Sequence, residues 1–163
     1  MKLNEITNLF RMDCGAPCPN IIINPGHTYV SFNTDIEDNR VLESDFSPCA
    51  GRIIIEFKQC RFSRTGPPSN ETIAGHPYYK YGMNSCGFYE LENSDLIQSL
   101  INVDQIHSRH NLARWKTYKH FILTFHDSIF ECVATEFEIN NVDIDLYKQE
   151  ESLFKALSKK FQP

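Results

Sequence analysis

Histidine and cysteine are the residues of this chain with the widest chemical range, because imidazole and thiolate titrate near neutral pH and both ligate metal. The 163 residues carry six of each. Two histidines sit in company suited to chemistry: His76 between Gly75 and Pro77, and His126 beside Asp127. His107, His110 and His120 lie between them in the chain. An enzyme built from this set would use His76, His126 and Asp127, with or without a metal, in a cleft beside Tyr78, Tyr79 and Tyr81. The set contains neither a nucleophile–base pair nor a ligand triplet at diagnostic spacing, so the balance points away from turnover.

The His126-Asp127 dyad occurs in metal phosphohydrolases on a helix. Here β-rich runs flank it, which makes it turn chemistry, with Asp127 and Ser128 as side-chain acceptors closing the turn. Cys14-x3-Cys18, followed by His27 and Cys49, opens like a zinc site but lacks the second short-spaced pair that structural zinc prefers. No metal site and no cofactor are expected. No Gly-rich phosphate loop, serine elbow, HExxH or EF-hand pattern is present. Behind Met1-Lys2-Leu3-Asn4-Glu5 there is no apolar export signal, so the expected location is cytoplasmic and all six thiols are read as reduced. No apolar run reaches the length that crosses a bilayer, and no membrane association is expected.

Charge supplies the remaining candidates. Sixteen Lys and Arg against 21 Asp and Glu leave a formal net charge of −5, which excludes a surface that is basic all over. Between His107 and His120 the chain nevertheless carries Arg109, Arg114, Lys116 and Lys119 with no acid, and Trp115 and Tyr118 among them. Cations interleaved with aromatics suit single-stranded nucleic acid, although four charges on an acidic chain make that partner the less favoured one. Two acidic runs are the counterpart: Asp35 to Asp45, with Glu37 and Asp38, and Glu131 to Asp145, with Glu136, Glu138 and Asp143. Folded into one face, they would steer a basic protein partner.

The elements that must position these groups are mostly strands. Ile21–Ile23 and Tyr29–Phe32 around Asn24-Pro25-Gly26 form a hairpin signal, as do His120–Phe125 and Ile129–Ala134 around His126-Asp127-Ser128. Alternation from Arg52 to Phe62 reads as a strand, and Phe88–Leu91 as a shorter one. Leu3, Ile6, Leu9 and Phe10 have helical spacing. Ser94 caps a helix whose stripe is Leu96, Ile97, Leu100 and Ile101. Leu153, Leu157 and Phe161 give an amphipathic C-terminal helix over 147–161. With no strand–helix–strand alternation, the expected fold is α+β: an antiparallel sheet or two-layer sandwich built from hairpins and flanked by a few short helices, in a single domain over 1–163.

Gly75-His76-Pro77-x-Tyr79-x-x-Gly82, Phe88-Tyr89-Glu90 and the run from His120-Phe121 through Thr124-Phe125-His126-Asp127-Ser128-x-Phe130-Glu131-Cys132 together resemble a group of small bacterial proteins of no assigned activity. The resemblance spans about residues 52 to 135 and implies no catalytic residue. The expectation drawn from all of this is a small protein that binds a macromolecular partner, foremost a protein, without turnover; an immunity-type or other interaction protein with an acidic docking face is its most concrete form. An enzyme and a nucleic-acid-contacting protein are the alternatives.

Overall fold

A computed structural model describes residues 1–24, 26–35 and 51–141. Its elements follow the alternation of apolar side chains. Strands β1 (Lys2–Glu5), β2 (Asn20–Asn24), β3 (Gly26–Thr34), β4 (Gly51–Cys60), β5 (Phe62–Gly66) and β6 (Phe88–Glu92) come first. Helices α1 (Asp95–Asp104) and α2 (Leu112–Trp115) follow, then β7 (Lys119–Thr124), β8 (Ile129–Ala134) and β9 (Glu136–Asn141). One sheet has the order β1-β6-β7-β8-β5 and the other β2-β3-β4-β9. Every pairing is antiparallel.

The two sheets share one core. Val30 and Phe32 of β3 and Ile53, Ile55 and Phe57 of β4 meet Phe88, Phe121, Leu123, Phe130 and Cys132 from the five-stranded sheet. These residues alternate along their strands, as side chains on one face of a pleated strand must. Both predicted hairpins form: β2 pairs with β3 from Asn20↔Ser31 to Asn24↔His27, and β7 with β8 from Lys119↔Ala134 to Thr124↔Ile129. The mainly antiparallel sandwich with a few short helices is therefore the architecture.

The five-stranded sheet is also covered on its other face. Leu3, Ile73, Tyr78, Met83, Tyr89, Leu91 and Ile122 cluster there, joining the strands to the chain between β5 and β6. That connection contains two 3-10 turns, Ile73–Gly75 and Tyr79–Tyr81, so the aromatic loop lies on the body through Tyr78. Gly82 ends the second turn at φ 96°, a left-handed conformation that glycine adopts without strain. On α1, Ser94 Oγ accepts a hydrogen bond from Ile97 N, and Leu96, Ile97, Leu100 and Ile101 are the less exposed stripe.

The N-terminus corrects one expectation. Instead of a helix, Lys2–Glu5 is an edge strand whose partners run from Lys2↔Glu92 to Glu5↔Tyr89. A helix this short is marginal in water, whereas β6 offers a row of unpaired backbone groups. The apolar residues still reach cores: Leu3 the outer one, Ile6, Leu9 and Phe10 the inner one. The helix expected over 147–161 lies outside the described residues.

Candidate functional site

Two polar clusters stand out, one buried and one open. The buried cluster lies on the outer face of the five-stranded sheet and begins with Glu131. Ile129, Glu131 and Val133 share one face of β8, and His120 and Ile122 share it on β7, because side chains alternate. Glu131 is thus a carboxylate between two apolar residues of β8 on a covered face, with its side chain fully inaccessible. Its Oε2 lies 3.0 Å from His120 Nε2. Its Oε1 accepts from Arg64 Nη2 at 2.8 Å and lies 3.4 Å from His76 Nε2. His120 Nδ1 is 2.7 Å from Ser94 Oγ, the hydroxyl that also caps α1.

One proton arrangement satisfies the whole chain. The Ser94 hydroxyl accepts from Ile97 N–H and donates to His120 Nδ1, and His120 Nε2–H donates to Glu131. A serine, a histidine and a carboxylate in series resemble a nucleophile with its base and orienting group. Here Ser94 and His120 are both buried, and Ser94 is already committed as a helix cap. The cluster ties β5, β7, β8, α1 and the His76 loop together, so the serine and histidine are spent on structure.

Its electrostatics are those of a buried, paired carboxylate. Burial pushes the Glu131 carboxyl up, but hydrogen bonds from His120 and Arg64 outweigh it and hold the group below the usual range. Burial pushes His76 down, against the opposing pull of Glu131. In both cases the unfolded chain binds a proton that the folded one refuses, so stability falls as pH drops. The loss begins below the ordinary imidazole value of 6.5 through His76 and continues below the ordinary carboxylate value of 4.5 through Glu131. Urea midpoints measured from pH 7.5 to pH ~4 should therefore decline, and His76→Gln should flatten the upper part of that decline. A wild-type midpoint that does not change over this range contradicts the assignment.

The open cluster lies where α1, α2 and the junction of β4 and β5 meet. A cleft of about 600 Å³ is lined by Arg61, Arg109, Arg114, Asp104, Trp115 and Tyr118, among others. Asp104 organises it. The carboxylate accepts from Trp115 Nε1 at 2.9 Å and lies 2.9 Å from His110 Nδ1, contacts that hold it below the usual carboxylate range. Arg61 Nε donates to Tyr118 Oη at 2.8 Å, and the Trp115 and Tyr118 rings lie 5.1 Å apart. Both rings are therefore engaged within the protein. Val103, in the lining, is 70% exposed, and Ile106 at 89% and Leu112 at 53% adjoin the lining residues His107 and Asn111 in the chain.

The sequence candidates are distributed unevenly over these clusters. His76 joins Glu131, but His126 Nδ1 lies 2.8 Å from Asp127, whose side chain is almost fully exposed. The proposed His76, His126 and Asp127 set thus divides between two places. The turn is closed by the backbone, Phe125 N to Ser128 O at 2.8 Å, so Asp127 pairs with its neighbour instead of bracing the turn. Arg109, Arg114 and Trp115 line the cleft together, Lys119 leaves it to pair with Glu90 at 2.9 Å, and Lys116 is exposed outside its lining.

Among the described residues the acidic runs are broken up as well. Glu131 is buried, Glu138 pairs with Lys58, and Glu136 faces Lys58 across β4 and β9. Asp35 lies 3.5 Å from Arg11, beyond the end of β3 that pairs with Gly51. Glu138 is level with Glu56, itself paired with Tyr29, so Asp35 is six residues along, or roughly 20 Å at the rise of a strand. Glu37, Asp38 and Asp143 lie outside the described residues.

Arg61, Asp104 and Glu131 were not singled out for the roles they take, and Ser94 was foreseen as the helix cap but not as the partner of His120. Glu131 had a legible signal, since it alternates with Ile129 and Val133 while Phe130 and Cys132 fill the other face. Arg61 had none, because its partners lie 57 residues away in the chain.

No protein-family model matches the chain, and no curated protein or solved structure shows significant similarity to it. No helix among the described residues is long and apolar enough to cross a membrane.

Proposed function

We propose that this protein acts by binding an acidic protein partner, without turnover, on the face formed by α1, α2 and the β4–β5 junction. The observation that carries the reading is the convergence of Arg61, Arg109 and Arg114 on one cleft beside exposed Val103, Ile106 and Leu112. Protein interfaces combine arginine and aromatic anchors with apolar surface, and an exposed aliphatic patch beside a cleft is the usual mark of one. Three arginines against a single, already paired carboxylate call for a partner that is negative there. Single-stranded nucleic acid is the weaker fit, because Trp115 and Tyr118 are held by Asp104 and Arg61 and are not free to stack on bases. The partner's sign is thus the reverse of the one suggested by the acidic runs.

Trp115 is the chain's one tryptophan, so its fluorescence reports on the cleft directly. A peptide alternating glutamate and leucine should change that signal, and the Arg109→Glu/Arg114→Glu variant should bind it at least roughly tenfold more weakly. Ile106→Asp should weaken it too. Tighter binding of oligouridine than of the peptide would reassign the cleft to nucleic acid. Unchanged peptide binding by both variants would move recognition elsewhere on the molecule.

A further inference from the structure

The open cleft beside α1 and α2 has more hydrogen-bond donors than acceptors. Arg61 stands where the chain crosses from one sheet to the other, after β4 ends at Cys60 and before β5 begins at Phe62. Its Nε is held by Tyr118 Oη, and its guanidinium carbon lies 5.9 Å from the centre of the Tyr118 ring. Nη1 and Nη2 of Arg61 have no acceptor among the described residues, and neither has the guanidinium of Arg109 or of Arg114. His107 Nδ1 accepts the backbone N–H of Arg109 at 3.0 Å, so the neutral ring carries its proton on Nε2 and donates there. Asn111 uses its Oδ1 to accept from Ala113 N, which leaves its amide N–H groups to donate. Asp104 is the one carboxylate in the lining, and Trp115 and His110 already occupy it.

We propose that this cleft takes a phosphate monoester: a phosphoserine or phosphothreonine within a segment of the partner protein. The inference rests on the acidic-partner reading and names the group that the arginines meet. Charge favours phosphate over carboxylate. Three guanidiniums against one carboxylate leave a surplus of two positive charges. A phosphate monoester, with about two negative charges near neutral pH, matches that surplus, whereas a glutamate matches half of it. The donors lead to the same choice. A phosphoryl group presents three strong acceptor oxygens and a carboxylate two, and the planar fork of arginine meets phosphate through paired N–H···O bonds.

The surroundings suit a protein segment as the carrier. The cleft, at about 600 Å³, is larger than a lone phosphate fills, and Val103 in its lining and Ile106 beside His107 expose apolar surface to neighbouring residues. An apolar side chain next to the phosphorylated residue would cover that surface, which is how arginine clusters combine with pockets in phosphopeptide recognition. The diester phosphate of a nucleic acid carries a single charge and two free oxygens, so it fits the surplus no better than a carboxylate.

The test uses the full chain, with the peptide alternating glutamate and leucine as reference. Two further peptides carry phosphoserine or serine in place of its central glutamate, and Trp115 fluorescence reads all three at one ionic strength. The phosphoserine peptide should bind at least about tenfold more tightly than the reference, and the serine peptide more weakly than either. Arg114→Lys keeps the charge and removes the fork, so it should weaken the phosphoserine peptide about fivefold or more and the reference less than about twofold. Equal losses for the two peptides would overturn the phosphate assignment. Equal binding of the phosphoserine and glutamate peptides to the wild type would also overturn it, while leaving the acidic-partner reading intact. Binding of none of the three would overturn both. Displacement of the phosphoserine peptide by an equal concentration of free phosphoserine would overturn the assignment to a protein segment.

Discussion

Glu131→Ala should destabilise the protein by about 3–5 kcal/mol, the usual cost of removing one partner from a buried, hydrogen-bonded ion cluster. The carboxylate is hydrogen-bonded to His120 and Arg64 and lies 3.4 Å from His76 Nε2, and the two histidines are the partners that burial leaves without water. His120 is fully buried and the His76 side chain nearly so, whereas more than half of the Arg64 side chain can rehydrate. Glu131→Gln keeps one oxygen acceptor and should cost less, about 1–3 kcal/mol. Glu138→Ala is the matched control. It removes an exposed partner of Lys58 and should change stability by less than ~1 kcal/mol. Urea unfolding of the three variants checks the order. An Glu131→Ala value no larger than the Glu138→Ala value would mean that the cluster contributes nothing to stability.

Phe57→Ala should be comparably damaging, at about 3–5 kcal/mol, for a different reason. Phe57 is fully buried on the four-stranded sheet, and its ring sits 5.5 Å from both Phe121 and Phe130 of the five-stranded sheet. Phe88 and Phe137 lie 6.2 and 6.3 Å away. Truncation leaves a cavity at the centre of the sandwich, between strands whose backbones are held by their own ladders and cannot collapse into it. Val103→Ala, on the exposed rim of the cleft, should stay within about 0.5 kcal/mol of the wild type. The comparison is direct by thermal or urea unfolding. A small Phe57→Ala effect would show that the two sheets do not depend on this contact.

The strands were legible wherever alternation ran beside turn residues. His120–Phe125 and Ile129–Ala134 carry β-formers on both faces around a polar turn, and few other local structures bury such a run. Ser94 announced its helix because a hydroxyl before an apolar stripe satisfies a free N–H. Leu3–Phe10 misled because the same apolar spacing serves a short helix or an edge strand with a turn. The deciding partner, β6, is more than 80 residues away. The Asp127 reading failed differently: its histidine neighbour and the backbone turn bond competed for the same roles, and local geometry chose between them.

From residue order alone came the antiparallel hairpins, the α1 cap and stripe, and the basic-aromatic composition of the stretch from His107 to His120. All of these depend on contacts a few residues apart, where backbone geometry leaves few solutions. Sites assembled across the chain depended on tertiary structure. Only the crossing at Cys60 puts Arg61 beside Trp115 and Tyr118. Only strand register places Glu131 among His120, His76 and Arg64. It also turns one charge of an apparent acidic surface run into the centre of a buried network. Sequence spacing reports which face of a strand a charge occupies, and the packing of distant elements decides whether that face meets water.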